Sequence, residues 1–189
     1  WQDETGKTRS LYLVHRLDSP TSGVLLACRS LELAKVVRSL FAKRETSKTY
    51  YAIVREKAKA KDGIWKDRLT ETREAGKLRV RTGNETEAFT KASFERRRVG
   101  RLGLSLLRLE PSTGRTHQLR VQSAARGFPI VGDRVYGDFS LNRRIARATK
   151  VDRLCLHASS IEINFSHEGK SHHFFSESAL PRAFGKMLT

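Results

Sequence analysis

Acidic residues are scarce in this chain: 20 Asp and Glu stand against 37 Lys and Arg among 189 residues, leaving a formal charge of +17 and a pI near 10.5. A surface that repels itself this strongly is usually kept for a polyanion. RNA, DNA and an anionic membrane face are the candidates, and nucleic acid is favoured. Cysteine is scarcer still. Cys28 and Cys155 lie far apart among apolar neighbours, too few and too scattered for a disulfide framework or a zinc site, and read as small core residues of a reducing compartment. No apolar run approaches the roughly 18 residues a membrane helix needs, and the opening Trp1-Gln2-Asp3-Glu4 is unlike a signal peptide. A cytoplasmic protein with no membrane partner is expected. The sole methionine, Met187, stands near the end of the chain, so a segment upstream of Trp1 is also expected.

The familiar phosphate-cradling signatures are missing: no GxxxxGK[ST] occurs, nor a GxGxxG after a strand, which removes the usual footing for nucleotide hydrolysis and dinucleotide redox chemistry. HExxH and paired CxxC are absent too. His167, His172 and His173 form the one histidine cluster, but neighbours on a strand point to opposite faces, so a hydrogen-bonded hairpin is the better reading than a metal site. No metal is expected.

With 38% apolar residues the chain can bury a core, and no repeat or linker divides it, so one domain over residues 1–189 is expected. Val24 to Cys28 is an apolar run suited to a buried strand, and Ser30 is placed to cap a helix. Leu33, Val36, Val37, Leu40 and Phe41 then fall on one helical face. Thr49 to Arg55 predicts a strand, Glu56 to Gly63 a charged loop, and the segments around 78–82, 88–96 and 102–109 further strands ending at the turn 111–114. A helix over 116–126 is closed by Gly127, with Pro129 beyond it, and a basic helix spans 140–150. Ile161, Ile163 and Phe165 alternate into a hairpin turning at 167–170, and a short helix follows. Strands in runs with interspersed helices define an α+β fold with a mixed, largely antiparallel sheet.

Two segments set polar residues between apolar ones. In the first, Asp18 lies between Leu13-Val14 and the apolar run from Val24. A carboxylate there needs a partner, because burial strips its hydration. The second, from Thr113 to Val121, offers Arg115 and Arg120, either of which can supply the guanidinium. From these residues alone, a structural ion pair and a catalytic carboxylate weigh equally.

HRLDSPTSG from His15, SKTYYAIV from Ser47, TGRTHQLRVQSAARGFPIVGDRVYGD from Thr113 and LCLHA from Leu154 occur in that order. Together they resemble the pseudouridine synthases of the RluA type, over residues 13 to about 178. The resemblance implies that family's fold, with helices flanking the sheet and a central catalytic cleft, and an activity: isomerisation of uridine in rRNA or tRNA to pseudouridine, with no cofactor. The RNA partner is left open as ribosomal, transfer or messenger. The resemblance makes Asp18 the catalytic carboxylate, Tyr50 a catalytic aromatic at the uracil, and Arg120 the ionic partner of Asp18. Arg16 would fill the gap left by a flipped base, and Leu156 would pack near that base. Arg115 and His117 are further candidates for substrate binding. Carboxyl groups ionise at neutral pH without help, so Arg120 is expected to orient a buried charge.

Arg143, Arg147 and Lys150, spaced by four and three, are expected on one side of the basic helix as phosphate contacts, and Arg96, Arg97, Arg98 and Arg101 crowd one loop. Relative to the family, the strand and the Lys-Pro segment before HRLD are missing, Ser19-Pro20 replaces a charged pair, and no S4-like RNA-binding domain is visible. A monomer is expected. The rival reading is a catalytically inactive RNA-binding paralogue acting in RNA assembly; a metal-dependent RNA hydrolase using the histidines ranks third.

Overall fold

The computed structural model describes all residues except 1, 3, 57–60 and 75–76. Three two-residue strands open the chain, β1 (Tyr12–Leu13), β2 (Ser22–Gly23) and β3 (Ala27–Cys28), followed by helix α1 (Leu31–Lys43). Next come β4 (Thr46–Val54), β5 (Gly63–Glu74), β6 (Lys77–Thr82), β7 (Thr86–Val99) and β8 (Leu104–Pro111). Helices α2 (Gln118–Ala125) and α3 (Phe139–Thr149), the hairpin β9 (Leu156–His167) and β10 (Lys170–Glu177), and helix α4 (Arg182–Leu188) complete it. The long strands form one antiparallel sheet in the order β10-β9-β4-β8-β7-β5-β6. This is the α+β arrangement expected from the sequence.

β4 lies inside the sheet and separates its two faces. Ala52 and Val54 pack with Leu107, Leu109, Leu119 and Leu156, and Tyr50 leans on that cluster. Ile53 packs on the other face with Leu104, Leu106, Ile145 and Phe184, where Tyr51 joins it. The period-2 alternation of a strand thus sends the adjacent tyrosines to opposite sides. A third cluster joins the buried stripe Ala34, Val37 and Leu40 of α1 to Val14, Cys28, Ile161 and Ile163. Ser30 caps α1 as its position predicts, accepting the Leu33 N–H at 3.1 Å.

The structure corrects several local expectations. Residues 24–28 are not one strand: Ser22 and Gly23 pair in parallel with His157 and Ala158 of β9, and the chain then crosses to β1 through Ala27 and Cys28. Gly23 permits this, since its φ of +117° disfavours any side chain and a Cβ would overlap the Ala158 carbonyl. β5 was not anticipated. Its inward positions are Trp65, Asp67 and Leu69, and the polar middle one masks the alternation. Of the expected loop at 56–63, residues 57–60 lie outside the described residues.

Arg96, Arg97 and Arg98 belong to strand β7, not a loop, and two of them are committed. Arg97 and Arg98 both pair with the buried carboxylate of Glu56, at 3.5 and 3.3 Å. Lys150 lies one residue past α3 with a left-handed backbone (φ 59°), so only Arg143 and Arg147 share its helical surface. In the terminal hairpin His173 hydrogen-bonds Glu162 at 2.9 Å and His172 stacks on Phe165.

Candidate active site

The turn carrying Asp18 is held from three sides. Its backbone carbonyl accepts the Thr21 N–H at 2.7 Å, closing a tight turn. Upstream, His15 stacks on Phe41 of α1, and its Nε2 accepts the Leu26 N–H at 2.9 Å. Downstream, β2 joins β9 beside Leu156. The chain around Asp18 is therefore pinned to the start of β9.

Arg120 reaches Asp18 from α2, which is fastened to the sheet by two buried amides one helical turn apart. Gln118 donates to the Phe89 carbonyl and to Thr90 Oγ1 and accepts from Thr113 Oγ1. Gln122 accepts from Thr90 Oγ1 at 2.6 Å and donates to Asp67 at 2.7 Å. With these groups satisfied, the buried amides hold the helix in one position.

Between the two arginines the sequence left open, the structure selects Arg120. Its Nη1 donates to Asp18 Oδ2 at 3.1 Å, while Arg115 Nε donates to the Glu87 carbonyl. The stronger partner of Arg120 was not foreseen. Asp133, only 1% exposed, takes Arg120 Nε at 2.7 Å and Nη2 at 2.9 Å, and also accepts the Val135 and Tyr136 N–H groups. Burial alone would raise the Asp133 carboxyl, but the Arg120 and backbone hydrogen bonds outweigh it and hold it below its usual value. Burial would likewise lower Arg120, and its two carboxylates reverse that, so it is always a cation here. Two carboxylates share one guanidinium. Asp18 keeps an excess of negative charge, and its Oδ1 is bonded to no described residue.

Asp18, Tyr50, Arg120, Arg16, Leu156, Arg115 and His117 line one cavity of about 140 Å³. An engineered apolar cavity of about 150 Å³ holds a benzene ring, so a pyrimidine is of the right size. Burial, then the charge of Asp18, push the Tyr50 phenol up to about 12, so it stays protonated. Leu156 is buried at the cavity wall, and Arg16 is exposed at its rim.

His117, in a left-handed conformation (φ 51°) just before α2, contacts Tyr136 Oη through Nδ1 at 2.8 Å. The same oxygen accepts the Val80 N–H at 3.0 Å, so the Tyr136 hydroxyl ties His117 to β6. Burial lowers the His117 pKa, with the nearby charges of Asp18 and Arg120 opposing each other.

Arg143, Arg147 and Lys150 are not part of this cavity. Arg143 and Arg147 border a surface depression with Arg134 and Asp152. That depression shares Gly132, Arg134 and Asp152 with a groove that reaches Thr21 and Arg120. The groove and the cavity over Asp18 meet at those two residues.

The sequence profile of the family described as RNA pseudouridylate synthase matches residues 2–125. A protein of Pectobacterium carotovorum subsp. carotovorum named tRNA pseudouridine synthase C is 35% identical over 181 residues, covering 89% of this chain and 47% of its own length. The protein of that name in Yersinia pestis is 34% identical, covering 90% of this chain and 69% of its own. Among solved structures, human RNA Pseudouridylate Synthase Domain Containing 1 superposes with a TM-score of 0.73 at 25% identity, over 89% of this chain and 69% of that one. This chain thus spans about half the length of the Pectobacterium relative.

Proposed function

Because this chain belongs to the RNA pseudouridylate synthase family, we propose that it isomerises uridines of structured RNA to pseudouridine at the cavity over Asp18. The observation that carries this reading is a carboxylate tethered by one oxygen, with the other bonded to no described residue, inside a cavity of pyrimidine size. The reaction breaks the uracil N1–ribose C1′ bond, turns the base, and rejoins it through C5. Atoms and electrons balance within the nucleotide: C5 loses a proton and N1 gains one. No redox partner or group donor enters the equation.

Asp18 engages the ribose beside the glycosidic bond through Oδ1, while Arg120 orients it. The Tyr50 ring stacks on the uracil, and its hydroxyl, protonated across the neutral range, donates to the ring. Leu156 packs against the base, and Arg115 and His117 contact the nucleotide around it. In folded RNA the target uridine must leave the stack at a cost of a few kcal/mol, and Arg16 at the rim fills the vacated space. Arg143 and Arg147, with Arg134, supply phosphate contacts along the adjoining groove, and Lys150 adds one at the helix end.

Transfer RNA is the first substrate to try, given the names of the Pectobacterium and Yersinia relatives. The test is tritium release from RNA labelled at uracil C5. Release by the wild-type protein, lost in Asp18→Asn while RNA binding persists, is the expected result. Binding without release by the wild type would instead identify an RNA-binding paralogue.

A further inference from the structure

Lys48 precedes Tyr50 by two residues on β4, so both side chains leave the same face of the strand, about 7 Å apart along it. Lys48 lines the same cavity as Asp18 and Tyr50. Its ammonium sits 5.7 Å from the centre of the Phe41 ring, and no described carboxylate or carbonyl pairs with it. The other cations of the cavity wall are differently placed: Arg120 is taken by two carboxylates, Arg115 by the Glu87 carbonyl, and Arg16 is exposed at the rim.

An ammonium partly stripped of water, with no anion in return, is costly, and burial accordingly lowers the Lys48 pKa. Such a cation is poised for an anion that arrives with the ligand. A ribose sets the phosphate of a nucleotide apart from its base on the same scale as the spacing of Lys48 and Tyr50. A compact ammonium with three rotatable donors suits a phosphate as a point charge.

On the proposed activity, the geometry points to Lys48 as the binding group for a backbone phosphate of the target uridine, a subsite inside the cavity and separate from the arginines of the outer groove. Phe41 and α1 hold the ammonium in place for it. The two phosphates flanking that nucleotide, on its 5′ and 3′ sides, are the possible sources.

The test combines a protein change with an RNA change. Lys48→Met keeps the length of the stem and removes the charge, and Lys48→Arg keeps the charge. In the RNA that the wild-type protein isomerises, the phosphate on the 5′ or the 3′ side of the target uridine is replaced by a neutral methylphosphonate. One of the two replacements should weaken wild-type binding about tenfold or more, as for loss of a hydrogen bond between charged groups. Lys48→Met should bind natural RNA more weakly by the same factor, the two losses should not multiply, and Lys48→Arg should recover most of the affinity. The salt dependence of binding should also flatten by about 0.7 log units per log unit of salt in Lys48→Met, the signature of one fewer phosphate neutralised on a single strand. Losses that multiply at both positions, or a Lys48→Met protein that binds natural RNA as tightly as wild type, overturn the assignment alone. A wild-type protein that releases no tritium from any RNA overturns the activity and the assignment together.

Discussion

Replacing Asp133 by asparagine preserves the side-chain shape and removes the charge behind Arg120. The carboxylate accepts four N–H groups: Arg120 Nε on Oδ2, and Arg120 Nη2, Val135 N and Tyr136 N on Oδ1. Asparagine has one oxygen. If it keeps the three donors on Oδ1, its amide nitrogen faces the Arg120 Nε–H, donor against donor. A buried N–H left unsatisfied costs about 1–3 kcal/mol, and the other hydrogen bonds lose their charge assistance. Arg120 keeps Asp18 as a counter-ion, so the total should sit at the low end of the range for breaking a buried pair, about 3 kcal/mol.

At about 2–4 °C per kcal/mol for a chain of this size, the melting temperature should fall by roughly 6–12 °C. The pH dependence carries a sign. The folded-state pKa of Asp133 is depressed below 3.8, so its stabilisation is present above that value and is lost as the pH falls through the folded-state value. Urea unfolding should therefore show Asp133→Asn less stable than wild type at neutral pH, with the gap closing in acid. A gap that is absent at neutral pH, or equally wide in acid, would refute the assignment of Asp133 as the anchor of Arg120. Tritium release should fall as well, because an Arg120 no longer anchored by the Asp133 charge still pairs with Asp18 but does not fix its orientation.

Tyr50→Phe keeps the stacking ring and removes the hydroxyl, so tritium release should drop about tenfold, as for loss of one hydrogen bond to the uracil. In the wild type, burial and Asp18 push this phenol up to about 12, so the rate should show no Tyr50 inflection in mildly alkaline buffer. An inflection near the free tyrosine value of about 10 would sink that claim. Gly23→Ala should cost more than about 1 kcal/mol, because φ there is +117° and the new methyl meets the Ala158 carbonyl. Both melting temperature and tritium release should fall, since β2 positions the Asp18 turn; an unchanged melting curve would remove β2 from that role.

Much of this protein is fixed locally, and that part was readable from its residues. The stripe along α1, the cap at Ser30 and the alternation entering the β9–β10 hairpin depend on neighbours a few positions away. Four ordered motifs also marked the side chains that line the cavity. The hidden features all have partners distant in sequence. β5 was obscured because its inward Asp67 is satisfied by Gln122 and Arg126, more than fifty positions away. Asp133 lies within the third motif, but a carboxylate two residues before a valine looks the same in sequence whether it faces solvent or an arginine. The choice between Arg115 and Arg120, and between Tyr50 and Tyr51, needed the seating of α2 and the register of β4. Periodicity and capping are properties of the chain near itself, whereas the sharing of one guanidinium by Asp18 and Asp133 exists only once the sheet and α2 have brought these groups together.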